Sequence, residues 1–338
     1  MRYSFLAILL VVFFSCNRSS ELPDISEIDI EWEFVPFHLL QKELQSIEND
    51  LPKMQREYPA FTNVFFSSVI PITSISQEEA QTILLDPLFS SLIDTSSLVY
   101  KDWESSIRSE LDEAFKYYAH YTGDHNIPNV YTYVSGFAYQ NFIFQENQQK
   151  DGLGIGIDMF LGESFPYKSI DPKNPTFSEF LTQYFDKKYI ARKSLLAWLD
   201  DKIPPTQSGQ LLDIIIRNGK ILYILEKILP KKPTDIVLEF QPNQYEWCKL
   251  NEPELWTHLL KNDLLYSDNF QRINKLINPS PSVPGIPQEA PGGVANYIGW
   301  RIVQDYMART NVSFSELIQN EEFQTIVDES KYRPRVRK

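Results

Sequence analysis

Apolar residues recur at spacings of three and four along much of the chain, a period typical of helices that bury one face. Trp103, Ile107 and Leu111 belong to the clearest such run, which predicts a helix continuing to about residue 120. Gly123 follows it directly and is expected to end it, because glycine adopts the left-handed conformation found after many helices. Residues 37–49 form an earlier amphipathic run.

Capping boxes of the form Ser/Thr-x-x-Glu predict three further helix starts, at Ser76, Thr176 and Ser313. In such a box the hydroxyl and the glutamate each bind a backbone N–H that the first helical turn leaves free. Together with the helical period, these signals predict helices near residues 177–185, 188–201, 208–229, 242–261, 292–310 and 314–328.

The middle of the chain follows a different pattern. Residues 130–134, 137–145 and 153–160 are rich in aromatic and β-branched side chains and are separated by glycines and polar turns. These stretches predict three strands of a small antiparallel sheet, with a hairpin loop over residues 145–152. The expected fold is therefore α+β, a mostly helical single domain over residues 34–330.

The first residues predict an export signal. The apolar run over residues 5–14 is about half the length that a membrane-spanning helix needs, and polar residues follow it at once. Small Ser15 before Cys16 is typical of lipoprotein processing, so residues 1–15 are expected to be removed and Cys16 to carry lipid. Residues 16–33 are then a lipidated tether. The alternative, an ordinary signal with an incidental cysteine, leaves the domain exported without an anchor.

The charge and cysteine content of the chain restrict the classes of partner that it is expected to bind. The 338 residues carry 32 basic and 45 acidic side chains, a net charge of −13 that disfavours nucleic acids and anionic lipid surfaces. The membrane is therefore expected to be reached through the lipid. The basic tail at residues 331–338 is interpreted as a solvated end. Cys248 is the second of two cysteines, so an acylated Cys16 leaves it without a disulfide partner, and we interpret it as a small buried residue.

The histidines give little support for a metal site. His38, His120, His125 and His258 are the four present, and none has the His-Glu-x-x-His spacing of zinc peptidases. His120, Asp124 and His125 could form a loop site, but two exposed imidazoles explain the same residues. No metal and no cofactor is therefore predicted.

Serine and glycine motifs likewise lack the context that catalysis needs. Ser135 has no Gly-x-Ser-x-Gly surroundings, and Gly152, Gly154 and Gly156 alternate along a strand instead of opening a helix. Close approach to a neighbouring chain segment explains these glycines better. Gly219 interrupts a strongly apolar helix, where close helix packing or approach of a ligand could compensate for its low helix propensity.

A second glycine motif opens a predicted helix. Pro291, Gly292 and Gly293 lead into the helix that carries Tyr297 and Trp300. The free N–H groups at this helix start could accept a carboxylate or a peptide carbonyl, although a capped core helix explains the pattern as well.

Five segments together resemble the gliding-motility lipoprotein B family of the Bacteroidota. They are residues 50–59 (DLPKMQREYP), 156–162 (GIDMFLG), 219–230 (GKILYILEKILP), 245–256 (YEWCKLNEPELW) and 291–301 (PGGVANYIGWR). The resemblance spans residues 25 to 330. It implies an envelope lipoprotein needed for gliding and connected to the type IX secretion apparatus, with protein partners there and no catalytic role.

The order of elements also resembles zincin peptidases, whose metal-binding helix would align with residues 189–201. That segment has no histidine here, so the resemblance implies a degenerate, metal-free zincin-like fold whose former substrate groove holds a partner. The residues expected in such a groove are Asp158, Lys220, Tyr223, Trp300 and Arg301.

The leading hypothesis is therefore a non-catalytic, periplasm-facing lipoprotein that binds partners of the gliding machinery. The alternative is an envelope hydrolase, acting on peptides or glycans, that uses Asp158, Glu226 or the pair Glu252 and Glu254 as acid and base. A third hypothesis, a purely structural role in wall attachment, predicts no groove.

Overall fold

Four strands form one sheet in the order β1-β2-β4-β3 in this computed structural model, which describes residues 22–72 and 76–337. The strands are β1 (Phe34–Val35), β2 (Asn129–Tyr133), β3 (Asn141–Gln145) and β4 (Asp151–Gly156). β2 runs parallel to both β1 and β4, and β3 runs antiparallel to β4. The sheet is therefore mixed.

The prediction of an antiparallel sheet is right for the β3–β4 hairpin and wrong for β2. Every residue of β2 is buried, and β4 is buried from its second residue onward, so both strands occupy the centre of the sheet. β3 is half-buried and lies at the edge. β3 lies between β2 and β4 in the sequence, but in the sheet it lies on the far side of β4. β2 and β4 are therefore direct neighbours, and they run in the same direction.

The strands are also shorter than predicted. Phe137 has a left-handed backbone (φ 66°), so residues 137–140 turn and β3 begins only at Asn141. β4 ends at Gly156 and continues as a 3-10 turn, Ile157–Phe160.

Two groups of helices pack on the sheet. The N-terminal layer comprises α1 (Phe37–Glu43), α2 (Ile47–Glu57), α3 (Pro59–Val64) with a π turn (Phe65–Val69), and α4 (Gln77–Leu84). α5 (Pro87–Val99) links it to the helical half. The helical half comprises α6 (Ser109–Thr122), α7 (Tyr167–Ile170), α8 (Glu179–Thr182), α9 (Ile190–Lys202), α10 (Leu211–Ile228), α11 (Thr234–Leu238), α12 (Pro242–Leu250), α13 (Glu252–Lys261), α14 (Phe270–Ile277), α15 (Val294–Arg309), α16 (Phe314–Gln319) and α17 (Phe323–Ser330).

The two faces of the sheet have different chemistry. Aliphatic residues such as Val130 and Leu153 join the core of the helical half. Tyr131 and Tyr133 point the other way, into an aromatic cluster with Phe61 of the N-terminal layer. Alternation along the strands produces this division, because successive side chains leave opposite faces.

Two of the three glycines of β4 lie beneath aromatic rings of β3. Gly152 pairs with Phe144 and Gly154 pairs with Phe142 across the hairpin. A Cβ on Gly154 would lie 2.7 Å from the Phe142 ring, so the missing side chain makes room for that ring. The expected close approach is thus confirmed. The neighbour is a side chain at Gly152 and Gly154, and at Gly156 it is the backbone carbonyl oxygen of Tyr139, 2.3 Å from where a Cβ would lie.

The long helices α10 and α15 cross where two glycines meet. A Cβ on Gly219 would lie 2.3 Å from the backbone of Gly299, and one on Gly299 would lie 1.7 Å from the carbonyl oxygen of Ile215. Close packing therefore explains Gly219, as one of its two interpretations predicted.

Residues 22–33, in the predicted tether, run along the domain without regular structure. Trp32 packs on Phe115 and donates its Nε1–H to Asp112, and the Glu33 amide donates to Asn129. Cys16 lies outside the described residues.

Candidate functional site

Two of the predicted groove residues lie side by side on α15. Trp300 donates its indole N–H to Glu226 on α10 (2.9 Å), and the Arg301 guanidinium lies 5.3 Å from the centre of the Trp300 ring. Gln304 also donates to Glu226, over 2.7 Å. Glu226, one of the carboxylates considered for catalysis, therefore connects α10 to α15.

Glu252 is the most heavily bonded carboxylate of the helical half, and its side chain is fully buried. Tyr297 donates its hydroxyl to one oxygen (3.0 Å) and Tyr332 to the other (3.1 Å). Arg337 donates from Nε (2.7 Å) and Nη2 (3.2 Å), and the Nε of Arg301 lies 3.7 Å away. A charged carboxylate is stable at this depth because cations and hydroxyls surround it.

The same carboxylate affects its neighbours. Burial raises the pKa of the Tyr297 and Tyr332 hydroxyls, and the negative charge of Glu252 raises both further. Burial also raises the pKa of the Cys248 thiol, again with a contribution from Glu252. Cys248 is thus a buried, protonated thiol, as predicted. Glu254 is exposed, so it does not share a site with Glu252.

Lys220 and Tyr223 lie on α10 and face α16. The buried Lys220 ammonium donates to the carbonyl oxygens of Ile318 (3.1 Å) and Asn320 (2.8 Å), where α16 ends. Burial lowers the pKa of Lys220 to about 8, with a further contribution from Arg217. Tyr223 packs on Phe314, and burial raises its pKa to about 12. Both residues therefore attach α16 to the core.

Asp158 belongs to a different part of the molecule. It follows β4, and its Oδ2 accepts the amide hydrogens of Ser135 (3.1 Å) and Phe137 (2.7 Å). Its Oδ1 is buried without a hydrogen-bond partner among the described residues. Burial raises the pKa of Asp158 to about 6, although these backbone hydrogen bonds oppose the shift. Asp158 thus holds the turn between β2 and β3.

Asp124 and His125, two of the residues considered for a loop metal site, have other partners. Asp124 accepts from Lys202 (2.9 Å) and Tyr118 (3.2 Å), and the Nδ1 of His125 lies 2.9 Å from the carbonyl oxygen of Asp29. Over residues 22–72 and 76–337, no three His, Cys, Asp or Glu side chains gather in a metal-binding arrangement.

A cleft of about 300 Å³ lies among α9, α10, the α11–α12 connection and the loop before α15. Gly292 and Gly293 line it where α15 begins, together with Asn218 and Asn296. Asn218 donates to Asn296 (2.9 Å), which in turn donates to the Ile277 carbonyl (2.8 Å). The Pro-Gly-Gly motif therefore opens onto a cavity.

An ion-pair cluster forms another wall of this cleft. Arg192 and Lys193 each contact one oxygen of Glu239 at 2.5 Å. Burial by itself would raise the pKa of Glu239, but the two cations outweigh it and hold that pKa below its usual range. Glu239 has a left-handed backbone (φ 57°), which ends α11 and turns its side chain towards α9.

Sequence reasoning did not select Arg192, Glu239, Asn218 or Asn296. Asn218 stands beside Gly219, so a motif already singled out contained it. Asn296 likewise lies within the segment 291–301 that was already singled out. Arg192 and Glu239 come together only through the tertiary contact between α9 and the end of α11, which no sequence spacing predicts.

No single helix in the described part of the chain is both long and apolar enough to cross a membrane. The bent pair Gln77–Leu84 and Pro87–Val99, with 46° between its helices, meets that test of length and composition when taken together.

Comparison with known proteins supplies the family. The family described as gliding motility protein GldB matches residues 18–334. Curated proteins and solved structures give no significant match. The resemblance found in the five sequence segments is thereby confirmed, whereas the likeness to zincin peptidases stays a prediction. The chain belongs to the family of gliding motility protein GldB, which connects it to the gliding apparatus.

Proposed function

We propose that this protein is a lipid-anchored, non-catalytic component of the gliding machinery that binds a protein partner in the cleft at the start of α15. In this proposal Cys16 carries the lipid and the folded domain faces the periplasm. Its partner belongs to the gliding and type IX secretion apparatus. The non-catalytic role is supported by the hydrogen bonds of Asp158, Glu226 and Glu252, the buried or half-buried carboxylates of the hydrolase hypothesis.

Each of those carboxylates is occupied by structural partners. Glu226 joins two helices, Glu252 accepts from two tyrosines and an arginine, and Asp158 holds a backbone turn. A general acid or base must come within hydrogen-bond reach of a substrate proton. None of the three lines the cleft, and the carboxylates that do, Asp200 and Glu239, are paired with cations. This arrangement supports binding in preference to hydrolysis.

The cleft has the features of a recognition site. Its volume of about 300 Å³ suits a few side chains of a partner. Asn218, Asn296 and the beginning of α15 supply hydrogen-bonding groups, and Leu222 and Phe240 supply apolar surface. Such a mixture of apolar lining and a few fixed polar groups is common in binding sites.

The function is tested by blocking the cleft in cells. Asn278 lines the cleft and is exposed, so Asn278→Trp should fill the entrance without disturbing the core. We expect this variant to lose spreading on agar to nearly the extent of the gene deletion, at normal protein level. Gln271→Trp, on an exposed site of α14 outside the cleft, is the matched control and should spread normally.

The anchor is tested separately. Cys16→Ser should move the protein from the membrane fraction to the soluble fraction and remove the acyl mass. Normal spreading of the deletion strain would contradict a role in gliding. Normal spreading of Asn278→Trp alone would contradict the cleft as the binding site.

A further inference from the structure

The C-terminal segment, residues 331–337, crosses the surface of the helical half and is held at its two ends. Tyr332 donates its hydroxyl to Glu252, and Arg337 binds Glu252 through its guanidinium and donates its amide to the Lys249 carbonyl (3.0 Å). In the described part of the chain, residues 333–336 make no hydrogen bond, and Val336 is 56% exposed. The segment is therefore a strap with a free middle.

The pocket under the strap is built for a guanidinium group. Both oxygens of Glu252 face Arg337, which meets them in the two-point geometry characteristic of arginine and carboxylate. Tyr297 donates its hydroxyl to the same carboxylate and helps to hold it in position. The Nε of Arg301 is buried nearby without a hydrogen bond, 3.7 Å from Glu252, so the pocket retains a donor that the strap does not use.

The strap itself has the character of a ligand. Arg333, Arg335 and Arg337 alternate along it, and Arg333 and Arg335 are exposed without an ion pair in the region described. Arg337 is turned inward onto Glu252, whereas Arg333 and Arg335 present their positive charges to solvent. The rest of the protein is acidic, with a net charge of −13 for the whole chain.

We propose that the Glu252 pocket is a binding site for an arginine on an extended, basic protein segment. Arg337 fills it within the chain, and a partner segment of the same chemistry takes its place when the strap leaves. A tethered strap competes at an effective concentration of about millimolar order, so it excludes weak ligands and yields to a segment that makes additional contacts. This site is separate from the cleft and goes beyond the proposed function.

The test uses a labelled peptide with the sequence of residues 331–338, KYRPRVRK, and the purified full chain. Arg337→Ala should empty the pocket, so we expect it to bind the peptide about tenfold or more tightly than the wild type. Arg335→Ala removes an exposed arginine of the same strap and should bind like the wild type. A peptide with alanine in place of its third arginine should not bind the Arg337→Ala protein.

Two results would overturn the proposal: equal affinity of wild type and Arg337→Ala, or equal binding of the two peptides. Because the variant removes the cation nearest to a buried carboxylate, a second measurement uses only the wild type. Excess peptide should accelerate hydrogen exchange at the Arg337 amide, and an unchanged rate would also refute the proposal. Neither measurement depends on motility, so the cleft proposal can fail or succeed independently.

Discussion

Close packing requires a glycine both in the helical half and on the sheet face that contacts the N-terminal layer, but the atoms that approach the glycine differ. Where α10 crosses α15, a Cβ on Gly299 would meet backbone, the Ile215 carbonyl oxygen. On β4, a Cβ on Gly154 would meet the ring of Phe142. A ring can rotate away, whereas a backbone moves only with its whole helix. Gly299 is therefore held by backbone contact and Gly154 by side-chain packing.

The largest expected effect tests the rigid contact. Gly299→Ala should destabilise the protein by about 3 kcal/mol or more, because the helices must separate. Helix propensity alone predicts the opposite sign, a gain of about 1 kcal/mol. Chemical denaturation measures the difference. Ala308→Gly, exposed on the same helix, is the control and should cost only about 1 kcal/mol; a neutral Gly299→Ala would disprove the backbone contact.

The next effect concerns the N-terminal layer and pH. His38 is buried against Thr132 (2.8 Å), and burial lowers its pKa to about 4 from 6.5. Between pH 6.5 and about 4, His38 is protonated in the unfolded chain but stays neutral in the folded chain. The stability it contributes is therefore complete above pH 6.5 and falls by up to about 3 kcal/mol as the pH drops towards 4. NMR titration of the His38 ring and unfolding at pH 7 and 4.5 measure both quantities.

Asp158 has the opposite effect on the pH dependence of stability and provides the control for His38. Its raised pKa of about 6 means that the folded chain keeps a proton which the unfolded chain loses near pH 3.8. Its contribution is full below pH 3.8 and disappears as the pH rises through 6. Asp158→Asn should therefore steepen the loss of stability on acidification, and His38→Asn should flatten it. Identical pH profiles of both variants and the wild type would refute the two assignments.

A smaller effect on stability is expected at the contact between Gly154 and the Phe142 ring. Gly154→Ala should cost about 1 kcal/mol, because the Phe142 ring can shift to admit the methyl group. Phe142→Leu removes the ring, so the double variant should lose less stability than the two single losses added together. Simple additivity in denaturation experiments would show that the ring and the glycine do not interact.

The smallest effect lies at the surface between α1 and α5. Lys42 and Asp94 form a 2.9 Å ion pair with side chains 50% and 63% exposed. Water and salt screen such pairs, so Asp94→Asn should change stability by at most about 0.5 kcal/mol. A loss above 1 kcal/mol in a thermal or chemical melt would show that this ion pair is part of the packing after all.

Local signals predicted individual elements well. The capping boxes at Ser76 and Ser313 form as expected, and Gly123 ends α6 in a left-handed conformation. Thr176 does not cap a helix, because Asn174 and Ser178 take the two N-cap positions on either side of it. The 13-residue α5, Pro87–Val99, and the short α14, Phe270–Ile277, were not predicted. The hydrophobic period identified most of the long helices but not α5, and around Thr176 competing N-caps decide where the short helices begin.

Two of the longer predicted helices are divided in the structure, and only the first division has a sequence signal, since Pro253 indicates a break or a new helix start. The run expected over residues 242–261 divides into α12 and α13, where Pro253 stands in the first turn of the second helix. The run over residues 314–328 divides in the same way into α16 and α17. Each break leaves the apolar period intact on both sides, so the period alone conceals it.

The site was predicted only in part. Trp300 and Arg301 do lie together, but the carboxylates they approach, Glu226 and Glu252, come from distant helices. The interpretation of the tail as solvated is wrong for Arg337, because its partner Glu252 stands 85 positions away in sequence. Such pairings depend on the tertiary path of the chain, and composition does not reveal them.

The strap has a practical consequence for imaging and purification. A reporter inserted after residue 338 would begin two positions beyond Arg337 and would interfere with the binding of its guanidinium to Glu252. The hairpin tip between β3 and β4 is a safer position for an epitope, because residues 147–149 are exposed and bond only within the turn.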